Sequence, residues 1–98
     1  MWIYEKRLQF PVNIKQPNAK MAQFIMSQYG GPDGEMGASM RYLSQRYAMP
    51  YKECKAALTD IGTEELAHLE IVAAIIHQLT RGLSAQELEE QGFGPYYI

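Results

Sequence analysis

Cysteine occurs once in these 98 residues, at Cys54, so no disulfide can staple the chain internally. A lone thiol suits a reducing compartment, and Cys54 reads as a small buried residue. Long apolar runs are missing as well. The longest, Ile71-Val72-Ala73-Ala74-Ile75-Ile76, has six residues, whereas a membrane span takes about 20. No leader is read at the start, where Glu5, Lys6 and Arg7 interrupt any apolar core. Neither sign of charge prevails: 9 basic against 11 acidic residues leave a formal net charge of −2. That excludes a nucleic-acid binder working through a broad basic surface. Internal repeats and low-complexity tracts are also lacking. At 11.2 kDa there is room for one small domain. Such a chain builds about two long helices, which rarely bury a core alone.

What is present is mainly helical. Residues 1–17 read as an extended arm, because Leu8, Phe10, Val12 and Ile14 alternate with Gln9, Pro11 and Asn13. Pro11 lacks an amide hydrogen, so the segment fits an edge strand or an arm laid on a neighbour, not a central strand. Residues 18–82 read as a helical pair whose first member is broken. Asn18 is placed to cap a helix through Met26, and Gly30-Gly31-Pro32-Asp33-Gly34 then breaks it. Helix resumes near Asp33 and runs to about Tyr47, ahead of Met49-Pro50. The longest stretch runs from Tyr51 or Lys52 to Thr80 and is stopped by Gly82. Residues 83–98 form a short helix, opened by the capping box Ser84-Ala85-Gln86-Glu87, and an aromatic, turn-rich tail.

The chemical signal lies in the longest stretch. Steps of three and four from Leu58 reach Ile61, Glu65, His68, Val72, Ile75 and Leu79, one helix face on which five of seven residues are large and apolar. The two exceptions, Glu65 and His68, sit together in its middle. A carboxylate and an imidazole on a packing face must be hydrogen-bonded, paired or metal-bound. Glu-x-x-His points both groups the same way and is the ligand pair of dinuclear carboxylate bundles. By itself the pattern is common as a solvated pair; its place inside the stripe is what raises it to a candidate. Glu64, four residues before His68, is the competing partner. Phase and spacing favour Glu65.

Glu35 offers the complement. It lies just past the Gly-Pro break, and Ala38, Ser39 and Tyr42 continue its face. Ala38 and Ser39 are small enough to let a helix approach closely, and Tyr42 is placed to donate a hydrogen bond to a ligating carboxylate. Plainer readings are a helix-start acid favoured by the dipole for Glu35 and an interface aromatic for Tyr42. Carboxylate-rich ligation with one imidazole per metal suits manganese or iron better than softer-ligand metals. Met21, Met26, Met36, Met40 and Met49 read as adaptable packing, and His77 as solvated on the far helix face.

Three segments carry a resemblance. Arg7-Leu8-Gln9-Phe10, Gly34-Glu35-Met36 leading to Tyr42-Leu43, and the string Asp60-Ile61-Gly62-Thr63-Glu64-Glu65-Leu66-Ala67-His68-Leu69-Glu70 closely resemble the manganese catalase family, in particular its spore-coat, CotJC-like branch. The Gly-Thr-Glu-Glu-x-Ala-His string is far more specific than Glu-x-x-His alone. The resemblance implies an all-α, ferritin-like half-bundle that forms a four-helix bundle around two manganese ions, with iron as the alternative. It implies Glu35 as bridging carboxylate, Glu65 and His68 as further metal ligands, and Tyr42 beside them in the catalytic set. The implied reaction is disproportionation of hydrogen peroxide to water and dioxygen.

In that family a further Glu, a further Glu-x-x-His and an acid-base glutamate come from a second helix pair, and the sequence reaches Ile98 before any of them. The chain is therefore expected to be an N-terminal half. Two copies about a two-fold axis would restore the ligand inventory, so a homo-oligomer is the expected partner state, with other spore-coat proteins as possible neighbours. No nucleic acid or membrane partner is expected, and the setting is the cytoplasm or the spore coat. The rival readings are a di-iron ferritin-like oxidase or metal-binding half-bundle, and a structural coat protein with a vestigial site.

Overall fold

A computed structural model describes residues 3, 5 and 7–97; the arm's residues 1, 2, 4 and 6 and the terminal residue 98 lie outside the described residues. Every regular element among the described residues is helical. Helix α1 spans Ala19–Ile25 and tightens into a 3₁₀ turn over Met26–Gln28. Helix α2 spans Glu35–Gln45 with a 3₁₀ turn at Arg46–Ala48, α3 spans Lys52–Leu79, α4 Ala85–Glu90 and α5 Gly94–Tyr97. No helix among the described residues is long and apolar enough to cross a membrane.

Local chemistry explains the boundaries. Asn18 Oδ1 accepts from the Met21 amide at 3.0 Å and starts α1. Ser84 and Glu87 form a reciprocal capping box at the start of α4. Gly82, at φ +88°, takes the left-handed conformation that follows the end of α3. The 28 residues of α3 extend about 42 Å, and the molecule is accordingly a rod of 49 × 24 × 19 Å.

The arm does not form a strand among its described residues. With Pro11 and Pro17 unable to donate and no partner strand within reach, its backbone is satisfied by side chains of α3 instead. Gln78 serves as the surrogate ladder: its Oε1 accepts from the Ile14 amide at 2.6 Å, and its Nε2 donates to the Val12 carbonyl at 2.8 Å. Arg81 donates to the Lys15 carbonyl at 2.7 Å. Leu8, Val12 and Ile14 are half-buried in this way, while Phe10 stays exposed. Replacing Gln78 by Ala is expected to free the arm at a cost of about 1–2 kcal/mol, read as lower thermal stability and faster proteolysis before residue 18.

The core lies at the C-terminal end of α3. Ala22, Leu79 and Phe93 pack together, flanked by Ile14, Ile25, Met26, Ile75 and Leu88. The aromatic tail is part of this core, with Phe93 2% exposed and Tyr97 Oη hydrogen-bonded to Thr80 Oγ1 at 3.1 Å. Toward its N-terminus α3 is covered only by α2 and the arm.

Two packing expectations are corrected. Cys54 is exposed, not buried, because the first turns of α3 reach past the elements that would cover them. Met21, Met36 and Met40 are also exposed; Met26 is the one drawn into the core, since the 3₁₀ turn brings it back over α3.

Candidate metal centre

Close packing of α2 on α3 builds the site. The helices run antiparallel, with Arg46 beside Thr59 at one end (2.6 Å) and Glu35 beside His68 at the other (3.6 Å). Between them Ser39, 4% exposed, donates its hydroxyl to the Gly62 carbonyl at 2.7 Å. Gly62 is buried because Leu43 lies against it; a Cβ there would fall 3.0 Å from Leu43 Cγ. A helix that contributes no side chain at this point lets the other approach. Gly62 was not singled out from sequence. The available signal was a lone glycine inside an otherwise strong helical pattern.

At this approach Glu35, the first residue of α2, meets Glu65 and His68 of α3, and one ligand atom from each lies within 4.8 Å of the others. His68 Nδ1 is 3.0 Å from Glu65 Oε2 and 3.6 Å from Glu35 Oε2. Glu65 is thus the partner of His68. Glu64 points away to the arm, where it accepts from Gln9 Nε2 at 3.2 Å. His77 is exposed, and Tyr42 makes no hydrogen bond to the triad among the described residues. The reason is position: two helical turns put Tyr42 about 10 Å along α2 from Glu35.

The two carboxyls shift each other's ionisation in opposite directions. Its hydrogen bond to Glu65 raises Glu35 above the ordinary glutamate range, aided by partial burial and the Glu65 charge and opposed by His68. The same bond lowers Glu65, with His68 reinforcing the shift and burial opposing it. As the pH falls, Glu35 is therefore the first of the two to take up a proton.

The donor set fits such a cation. Two carboxylates and one imidazole converge without a thiolate or thioether, a combination suited to manganese or iron. Side chains of Glu35, Glu65 and His68 are 28%, 13% and 36% exposed, so the triad is open on one side. Together, a Glu on one helix and a Glu-x-x-His on its antiparallel neighbour define half of a dinuclear carboxylate bundle.

Comparison with known proteins narrows the class. The profile of the family described as manganese containing catalase matches residues 1–94. The chain is 48% identical over 98 residues to Protein CotJC of Bacillus subtilis (strain 168), covering 100% of this chain and 51% of that protein. It is 34% identical over 96 residues to a manganese catalase of Lactiplantibacillus plantarum, covering 97% of this chain and 33% of that one. The crystal structure of KatB, a manganese catalase from Anabaena, superposes with a TM-score of 0.78 at 34% identity, over 85% of this chain and 38% of the other. The chain belongs to the manganese catalase family, and its fold is the helical one of that structure. It spans between about a third and about half of the length of these relatives.

Proposed function

We propose that the chain is one half of a dimanganese catalase that disproportionates hydrogen peroxide to water and dioxygen. The observation that carries this reading is the convergence of Glu35, Glu65 and His68 donors within 4.8 Å, in a chain of this family. Two copies related by a two-fold axis would supply four carboxylates and two imidazoles, the full inventory of a dinuclear bundle. The resemblance to the spore-coat branch, together with the identity to CotJC, supports a setting in the spore coat.

When bound, manganese would supply the redox chemistry, alternating between divalent and trivalent states as one peroxide is oxidised and the next reduced. The chain's own contribution is charge and orientation. Glu35, reaching from α2 toward α3, and Glu65 would hold the metal and offset its charge, and His68 would present Nδ1 to the same point. Tyr42, half-buried and unbonded to its own triad, is left to orient a carboxylate brought by the second half.

Protonation of Glu35 competes with metal binding, which sets a pH dependence. Glu35 is raised, so protons compete with metal up to a higher pH than for an ordinary glutamate. Apparent affinity should climb with pH by up to about tenfold per unit and level off once Glu35 is ionised. Calorimetric titration with Mn(II) in buffers of different ionisation enthalpy should register the released proton.

The activity is tested by dioxygen evolution from peroxide with the manganese-loaded chain. Evolution that disappears in Glu35→Ala supports the reading. Iron uptake with peroxide consumption but no dioxygen would replace it with a di-iron oxidase, and an intact assembly indifferent to both metals would leave a structural coat protein.

A further inference from the structure

Small size alone would justify Ser39 at the α2–α3 contact, and alanine would meet that need equally well. The structure gives its hydroxyl a separate task. Ser39 is buried, and its Oγ donates to the Gly62 carbonyl oxygen at 2.7 Å. A carbonyl oxygen has two lone pairs, so Gly62 accepts this bond beside its own helical one. A hydroxyl at this depth is costly unless bonded. The bond therefore has a fixed direction and ties α2 to α3 at one point.

That point lies beside the triad on both helices. Ser39 is one turn along α2 from Glu35 on the same face, and Gly62 is one turn along α3 from Glu65. The tie is thus about 6 Å along α2 and about 4.5 Å along α3 from the two carboxylates. The Arg46–Thr59 bond sets the far end of the helix pair, about 16 Å along from Glu35. At that distance it has little hold on the site.

Glu35 needs a nearby restraint. It is the first residue of α2, at an end without a side-chain cap, and helix ends fray. Its ligand atom also lies within 4.8 Å of those of Glu65 and His68. When both carboxylates are ionised they repel, which pushes the start of α2 off α3. Arg41, donating to the Pro32 carbonyl at 2.8 Å, holds the loop before α2 to its own helix. The Ser39 bond acts across the pair, pulling α2 toward α3.

We infer that Ser39 is a positioning residue for the metal centre: its hydroxyl, bonded to Gly62, holds Glu35 at ligand distance from Glu65 and His68 before an ion arrives. This rests on the metal-binding reading above. Ligands already in place need little ordering on binding, so the tie raises affinity through preorganisation. Residues that support ligands without touching the ion change metal affinity about 10–100-fold.

Ser39→Ala separates the hydroxyl from size, because alanine is smaller and leaves the Gly62 carbonyl its helical bond. The variant should keep its helical circular dichroism while binding Mn(II) at least about tenfold more weakly by calorimetry. The electron paramagnetic resonance spectrum of the bound ion should change with it. Ser44→Ala, at an exposed serine of the same helix, should change neither, and Ser39→Thr, which restores a hydroxyl, should recover affinity. A second readout needs no metal. Spin labels on Cys54 of α3 and on Met36→Cys of α2, both exposed positions, report the helix separation, whose distribution should broaden in Ser39→Ala. Unchanged Mn(II) affinity in Ser39→Ala would overturn the assignment, as would an unchanged label separation; either leaves the metal reading standing. Affinity lost together with helical circular dichroism would also overturn it, marking Ser39 as a core residue only. A parent chain that retains neither manganese nor iron would sink the metal reading, and the label separation would then decide whether Ser39 sets the α2–α3 spacing.

Discussion

Alanine at His68 should leave the chain without retained manganese and without dioxygen release from peroxide. His68 supplies the one imidazole of the triad, with Nδ1 3.0 Å from Glu65 and 3.6 Å from Glu35. Without it, two carboxyls remain, with no imidazole to complete the donor set. Groups that merely orient a ligand are worth about 10–100-fold in metal affinity, so losing a direct donor should cost upwards of about 100-fold. The fold should survive, since the His68 side chain is 36% exposed and fills no core position. His77→Ala is the matched control, an exposed histidine on the same helix that should change nothing. Metal content after desalting and an oxygen electrode read both effects.

Gly37→Ala should destabilise the fold, although the same change in a helix interior normally gains about 1 kcal/mol. The reason is the loop before α2, which folds back over its first turn. A Cβ on Gly37 would lie 2.5 Å from the Pro32 carbonyl oxygen and 2.9 Å from that of Gly31, and backbone cannot swing aside. Gly34 is confined in the same way, 2.8 Å from the Ser27 carbonyl oxygen. Arg41 ties the loop down by donating to Pro32 O at 2.8 Å. Overpacking of this kind costs about 1–3 kcal/mol or more, enough to lower the melting temperature by about 4–8 °C per kcal/mol. Because the displaced loop carries the start of α2, Glu35 should move with it and metal affinity should fall. Gly62→Ala is the informative contrast: its Cβ would meet the Leu43 side chain at 3.0 Å and the Leu43 backbone nitrogen at 3.3 Å, a milder approach than the 2.5 Å at Gly37. Thermal denaturation of the two variants should show the larger loss for Gly37→Ala.

These cases show which parts of the structure were legible in the sequence. Helix positions were, since they follow local rules: Asn18 and the Ser84 box as caps, Gly82 as a stop, and the Gly-Pro break between α1 and α2. Periodicity put Glu65 and His68 on one face, and the place of Glu35 just past the Gly-Pro break offered their complement, which the family resemblance then reinforced. The arm's reading left edge strand and arm both open, because alternation predicts which residues are inward but not whether a strand exists to pair with. Gln78 took that role through its side-chain amide. Cys54 and the exposed methionines were assigned to packing on residue type alone, yet burial depends on which elements arrive, and near the start of α3 few do. The tight approach at Ser39 and Gly62 is likewise a tertiary fact. The opposed shifts of Glu35 and Glu65 arise from that approach and have no local signature.

The central claim is that Glu35, Glu65 and His68 hold manganese. Elemental analysis of the purified 98-residue chain, offered manganese and iron together and then desalted, tests it most directly. The account predicts close to one manganese per chain, lost in His68→Ala. A chain that retains neither metal, or retains the same amount in His68→Ala, would contradict it.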